Sequence, residues 1–119
     1  MRLSIKRVYA PPEEGDGFRV LIDRLWPRGL AKEKAGVDLW LRDIAPSTAL
    51  RQWFGHDPAR WETFRERYLE ELRQGEAAAA LETLRAEVAA RPVLTLLYSA
   101  HDEAHNNAVA LRDMLQGGG

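Results

Sequence analysis

Two short stretches hold most of the side chains able to do chemistry. The first is Asp23-Arg24-Leu25-Trp26-Pro27-Arg28-Gly29. It follows the apolar run Phe18–Ile22, which reads as a buried strand. An acid, two arginines, a tryptophan and a Pro/Gly break at such a strand end suit the wall of a polar pocket better than plain packing. Arg24 and Arg28 are a guanidinium pair able to grip phosphate or carboxylate bidentately. The competing reading is that each pairs with Asp23, Asp38 or Asp43 and locks the loop. Asp23 is a candidate general base. With Asp102 it would form an acid–base couple with pKa values pushed apart, although structural ion-pair networks imitate such couples.

The second stretch follows the run Val93–Tyr98 and carries Ser99, His101, Asp102, His105, Asn106 and Asn107. His105 is the candidate proton carrier near neutral pH. Asn106 and Asn107 supply amide donors at the start of the last helix, whose N-terminus is a natural anion seat. His101 and His105 have the i, i+4 spacing of a zinc-binding helix. Asp102 reads as the N-cap, however, which leaves His101 outside the helix and without a clear third ligand, so no metal and no other cofactor is expected. Trp26 and Trp53 are candidates for stacking on a flat ligand, weighed against the rule that large aromatics are mostly core. Ser47 is explained as a cap, and neither it nor Ser99 lies in a Gly-x-Ser-x-Gly elbow.

These residues need elements to position them. Leu3 to Val8 alternates with period two and predicts a short strand. Three consecutive apolar residues, Val20 to Ile22, predict a strand buried on both faces, as in a parallel sheet. Val37 to Leu41 alternates and is a candidate third strand. Ser47 and Gly55 bracket one helix. Asp57 and Pro58 start another, with Trp61, Phe64, Tyr68 and Leu72 on one face. Gly75 separates it from a helix over Ala77 to Ala90 striped by Leu81, Leu84 and Val88. Val93–Tyr98, the most apolar run, reads as the central strand. The last helix, capped by Asp102, is striped by Ala104, Ala108, Leu111 and Leu115. Strands separated by helices predict an α/β fold, a single compact domain over 1–116 with a mostly parallel sheet flanked by helices and a flexible Gly tail at 117–119. Such sheets bind ligands beyond the carboxyl ends of their strands. If Phe18–Ile22 and Val93–Tyr98 are parallel neighbours, the two chemical stretches meet there.

The bulk composition narrows the function. The chain has 119 residues, the size of one domain. Seventeen Lys plus Arg against 18 Asp plus Glu give a net charge of -1, which argues against general nucleic-acid binding. The absence of cysteine removes disulfides, thiolate metal sites and cysteine nucleophiles. No apolar run approaches the length of a membrane span and no leader is evident, so a cytoplasmic protein is expected.

The strings Arg7-Val8-Tyr9 and Gly17 through Gly29, Ile44-Ala45-Pro46-Ser47, Leu50 through Pro58, Leu96 through Ala100, Asp102, and His105-Asn106-Asn107-Ala108 together resemble the YeaO-like proteins of the DUF488 family. The resemblance spans nearly the whole chain and implies a compact α/β domain, with no established reaction attached. The sequence departs from the family pattern at His101, where members usually carry Lys or Arg. A group serving an anion tolerates that exchange better than a metal ligand would. Two functional readings follow. One is a small enzyme acting on a phosphorylated or carboxylated small molecule, with Arg24 and Arg28 on the anion and Asp23, Asp102 or His105 moving a proton. The other is a non-catalytic ligand-binding or regulatory module using the same pocket. The sequence leaves the oligomeric state open.

Overall fold

The computed structural model of the chain describes residues 2–117. Its sheet has four strands, β1 (Arg2–Arg7), β2 (Phe18–Leu21), β3 (Leu39–Trp40) and β4 (Val93–Tyr98), in the order β1-β4-β2-β3. Every pairing is parallel, so the expected α/β architecture is found. The two most apolar runs, β2 and β4, are the two central strands and pair with each other, Leu21 opposite Leu97. Strands buried on both faces need apolar residues at both parities, which explains why these two lack alternation.

The two faces of the sheet are covered differently. On one, Val20, Ile22, Leu94, Leu96 and Tyr98 meet the long helices. These are α2 (Thr48–Phe54), α3 (Trp61–Glu71), α4 (Gly75–Ala90) and α5 (Asn107–Gln116), contributing Phe54, Phe64, Tyr68, Leu84 and Leu111. On the other face a smaller cluster forms around Val8, Leu21 and Leu97, with Trp26, Leu30, Val37 and Trp40 packed against it. Only a one-turn helix, α1 (Lys32–Ala35), lies in the connection between β2 and β3. Trp26, on a loop, and Trp40, in edge strand β3, therefore supply apolar cover where no long helix does.

That second face also carries a polar network. Arg19, on central strand β2, is only 4% exposed. Its guanidinium pairs with Asp16 and donates to the carbonyls of Gly36 and Ala35. Asp16 also receives Lys6 and the Glu13 N–H. Every group in this set is satisfied from several directions, the condition under which buried charge is tolerated. Desolvation would raise the Asp16 carboxyl, but the Glu13 N–H, Lys6 and Arg19 outweigh it and hold it below the usual carboxylate range.

The predicted caps of α2 and the following turn are present. The Ser47 hydroxyl accepts from the Leu50 N–H and Asp57 accepts from the Ala59 N–H. Glu71 adds a second tie, accepting from both the N–H and the hydroxyl of Ser47. Two expectations are corrected. β3 spans only Leu39–Trp40, because the Asp38 carboxylate rather than a ladder carbonyl accepts the Arg19 N–H. The last helix begins at Asn107 with Asn106 as its cap, accepting from the Val109 N–H. Asp102 instead closes a turn in the preceding loop by accepting from Ala104 and His105, so Ala104 is outside the helix and the helical His101–His105 spacing does not form. Of the Gly tail, Gly117 follows α5 and Gly118 and Gly119 lie outside the described residues.

Gly17 makes the turn into β2 at φ 65°, ψ −136°. A Cβ there would lie 2.3 Å from the Val93 carbonyl oxygen. Strained backbone and a main-chain clash combine, so Gly17→Ala is expected to cost at least about 3 kcal/mol in urea unfolding. The depressed Asp16 carboxyl stabilises the fold fully above its unfolded pKa and loses that contribution as pH falls through the folded value. Wild-type stability is therefore expected to fall between about pH 5 and pH 2 more steeply than that of Asp16→Asn, measured by urea midpoints across that range.

Candidate functional site

Parallel pairing of β2 with β4 carries their ends out side by side, which brings Asp23 next to Ser99. Asp23 Oδ2 accepts from the Ser99 N–H at 2.9 Å and from the Ser99 hydroxyl at 2.7 Å. Its Oδ1 accepts from Asn107 Nδ2 at 3.1 Å, and the same amide group donates to the Ile22 carbonyl. The Asp23 carbonyl accepts from Trp40 Nε1 at 2.7 Å. One half-buried residue thus joins the ends of β2 and β4, the first residue of α5 and the indole of β3. The strand ends do converge, as the sequence implies, and they converge on Asp23.

From the opposite side, Arg7 at the end of β1 holds the loop after β4. Its Nε donates to the Ala100 carbonyl at 2.9 Å and Nη2 to the Ser99 carbonyl at 3.0 Å. The guanidinium lies 5.2 Å from the Tyr9 ring centroid, and the Tyr9 hydroxyl donates to the Arg28 carbonyl at 2.9 Å. Arg7 has no carboxylate within ion-pair distance among the described residues. In the sequence Arg7 belongs to the family string Arg7-Val8-Tyr9 but is no site candidate, because one arginine in an alternating strand looks like ordinary surface charge.

Asp102 and His105 form a separate pair, with Nδ1 2.9 Å from Asp102 Oδ2. The His105 ring meets Trp61 edge-on at 5.4 Å between centroids. The His105 contact, then the Ala104 N–H, hold the Asp102 carboxyl below the usual range. Asp23 and Asp102 share no bond: each is committed to different partners. Asn106 and Asn107, expected as anion donors, are both buried, and their side chains serve the α5 start and the Asp23 junction.

The two arginines of the first stretch have different surroundings. Arg24 donates to the Ala45 carbonyl at 3.1 Å, and its buried Nε has no partner. It lines a cleft of about 380 Å³ that also holds Asp43, Glu70, Glu71 and Glu76. Arg28 is exposed, with its backbone tied to Tyr9. Neither arginine makes an ion pair among the described residues, so the loop-locking pairs with Asp23, Asp38 or Asp43 do not form. Trp26 donates to the Leu30 carbonyl at 2.6 Å and packs edge-on against Trp40. Trp53 is half-buried, with the Arg60 and Arg67 guanidiniums 5.3 and 4.7 Å from its ring. His56 holds a left-handed turn at φ 59° after α2, and His101 is exposed. No group of three or more His, Asp or Glu among the described residues is arranged to hold a metal. No helix among them is long and apolar enough to cross a membrane.

Removing the Asp23 charge tests its junction. An asparagine would set an NH2 or a weaker acceptor against the donors Ser99 and Asn107. Asp23→Asn is expected to lower stability by about 2–3 kcal/mol in urea unfolding, the range for losing charge-assisted bonds at a shielded site.

Comparison with known proteins agrees with the resemblance. A family profile described as "Inactive DUF488-N3 subclade" matches residues 2–118. The uncharacterized protein YeaO of Escherichia coli (strain K12) is 45% identical over 116 residues, covering 98% of each chain. The uncharacterized protein Rv3073c of Mycobacterium tuberculosis (strain ATCC 25618 / H37Rv) is 39% identical over 116 residues, covering 98% of this chain and 95% of that one. No solved structure matches.

Proposed function

The chain belongs to the DUF488 family, in a subclade described as inactive, and from that premise we propose that it is a non-catalytic module that binds a small anionic molecule at the carboxyl ends of its strands. The observation that carries this reading is the state of Asp23: both carboxylate oxygens already accept protein donors. A general base must hold an oxygen within reach of a substrate proton. Asp23 has its acceptor positions directed at Ser99 and Asn107, and the Ser99 hydroxyl is directed back at it. Asp23 is thus engaged with Ser99 and Asn107, which supports binding rather than turnover at this junction.

Anion affinity is assigned to Arg7, whose guanidinium lies beside the Tyr9 ring, with the exposed Arg28, whose backbone carbonyl accepts from Tyr9, as a second cation. Arg24 contributes less, because the carboxylates of its cleft repel an anion. Asn106 and Asn107 act indirectly by fixing α5.

One observation favours catalysis as the second reading. His105 is half-exposed with an aspartate on Nδ1, the arrangement that orients a general base. The two readings separate in one experiment. The protein is screened by thermal shift against carboxylates, sugar phosphates and nucleotides, and every binder is then incubated with it and followed by NMR. The expected result is a shift from one anion class, on the order of 10 °C for saturation near a hundredfold over Kd, with the ligand recovered unchanged. Conversion of a binder, abolished by His105→Gln, would make the chain an enzyme. No shift from any anion would end the proposal.

A further inference from the structure

The strand ends hold a second feature, a pocket of about 500 Å³ between the end of β1 and the end of β4. Its volume is within the range of small-molecule sites. Ile5, Ala10, Tyr9 and Tyr98 give it apolar and aromatic walls, and Lys6, Arg7 and Glu103 give it charge. None of the catalytic, anion-binding or stacking candidates read from the sequence lines it.

The charges do not count equally. Lys6 is committed to Glu13, at 2.8 Å, and to Asp16, at 3.0 Å. Arg7 is bound only to the Ser99 and Ala100 carbonyls, which are dipoles, so its full charge has no counter-ion among the described residues. Its Nη1 donates to no described residue. Glu103 is exposed on the rim. The pocket therefore presents one guanidinium fixed by two hydrogen bonds and without an ion-pair partner among the described residues, with Glu103 as the one carboxylate of its lining, on the solvent side. That suits a monoanion better than a phosphate dianion, which would need a second cation.

Tyr98 supplies the other polar contact. The residue is 2% exposed yet lines the pocket. Burial, then the nearby Glu103, push its hydroxyl above the ordinary phenol range against the opposing pull of Arg7 and the Asn106 side chain, so it stays protonated at physiological pH. A fixed guanidinium, a protonated phenol and apolar walls at the strand ends are complementary to a carboxylate carried on a flat apolar body.

We propose that this pocket is the binding site, with Arg7 holding the carboxylate, Tyr98 donating to it, and Ile5, Ala10 and Tyr9 enclosing an aromatic or similarly flat ring. The inference rests on the reading of the chain as an anion-binding module and specifies where and what it binds.

The test uses four probes on the full chain, followed by NMR amide shifts: benzoate, acetate, benzyl alcohol and phenyl phosphate. Benzoate is expected to bind more tightly than the other three, with shifts centred on residues 5–10 and 98–103. Arg7→Lys keeps the charge but loses the rigid fork and is expected to weaken benzoate about tenfold, the effect of one charge-assisted bond. Because Arg7 also holds the loop, two further variants separate binding from folding. Tyr98→Phe removes only the hydroxyl, and Ile5→Trp fills the pocket; each is checked for a cooperative melt. Tyr98→Phe is expected to weaken benzoate severalfold and Ile5→Trp to abolish its shifts. Benzoate shifts that map elsewhere, or that persist in folded Ile5→Trp, would overturn the site while leaving the module reading intact. Preference for phenyl phosphate in the same residues would overturn the monoanion assignment. No response to any of the four, alongside a hit from the wider anion screen, would overturn the ligand class; silence in both would remove the underlying reading as well.

Discussion

The Asp23 carboxylate is the point on which the strand ends depend. A parallel sheet delivers two chain ends side by side, and each leaves backbone groups that the ladder no longer satisfies. β4 leaves the Ser99 N–H; β2 leaves the Ile22 carbonyl. Asp23 answers the first directly. Asn107 answers the second and bonds Asp23 with the same amide nitrogen. This fixes where α5 starts, because the Asn107 side chain can reach Ile22 only if its own residue opens the helix. Arg7 completes the arrangement by taking the next two carbonyls of the loop, those of Ser99 and Ala100. Four elements are thereby tied by side chains to a few strand-end backbone groups. That economy is structural, and it uses the residue types that an active site would use.

The same logic organises the thin face of the sheet. A strand at the centre of a sheet normally buries apolar residues on both sides, and β2 does so except at Arg19. An arginine there is tolerable because the connection from β1 to β2 folds back to place Asp16 against it, while the carbonyls of Ala35 and Gly36 satisfy other N–H groups. The Thr95 hydroxyl of β4 donates to the Asp16 carbonyl, so the network is also tied to the neighbouring strand. Replacing one member would leave a charge buried without its partner, which costs more than the intact network contributes. On the same face, Trp26 and Trp40 act as a wedge of apolar surface that stands in for a helix. Two of the chain's four tryptophans belong to this architecture.

The sequence made the regular parts of the fold legible because each rests on a local signal. Val93–Tyr98 and Phe18–Leu21 are central strands because their runs are apolar at both parities. Ser47, Gly55, Asp57 and Pro58 mark their helix ends by chemistry that operates within a few residues. The parts that were not legible depend on partners far along the chain. Two acceptors compete to cap the last helix, Asp102 and Asn106, and local preference ranks them alike. Asn106 wins because the Asn107 junction with Ile22 and Asp23, some 85 residues upstream, sets the helix start. The ladder of β3 is cut short by Asp38, whose role is visible only once Arg19 is beside it. Arg24 and Arg28 read as a pair because both follow the same strand end, four positions apart. The Pro27–Gly29 turn sends one toward an acid-lined cleft and leaves the other exposed beside Tyr9.

Proximity alone does not distinguish a catalytic cluster from a closing one. Ser99 and Asn107 are each within hydrogen-bond distance of Asp23, and the three would pass a search for acid, nucleophile and amide donor. What separates the cases is the number of hydrogen-bonding positions left over. Asp23 accepts three bonds from inside the protein, Ser99 donates its hydroxyl inward, and Asn107 directs its amide at two internal acceptors. Arg7 differs in kind: its two internal bonds go to neutral carbonyls, so its geometry is fixed while its charge stays uncompensated. A group that is held rigidly and left electrically unmatched beside a cavity is prepared for a ligand of opposite charge. On the reading proposed above, binding falls to an arginine that resembles surface charge in the sequence, and the Ser99 and Ala100 carbonyls hold it in place.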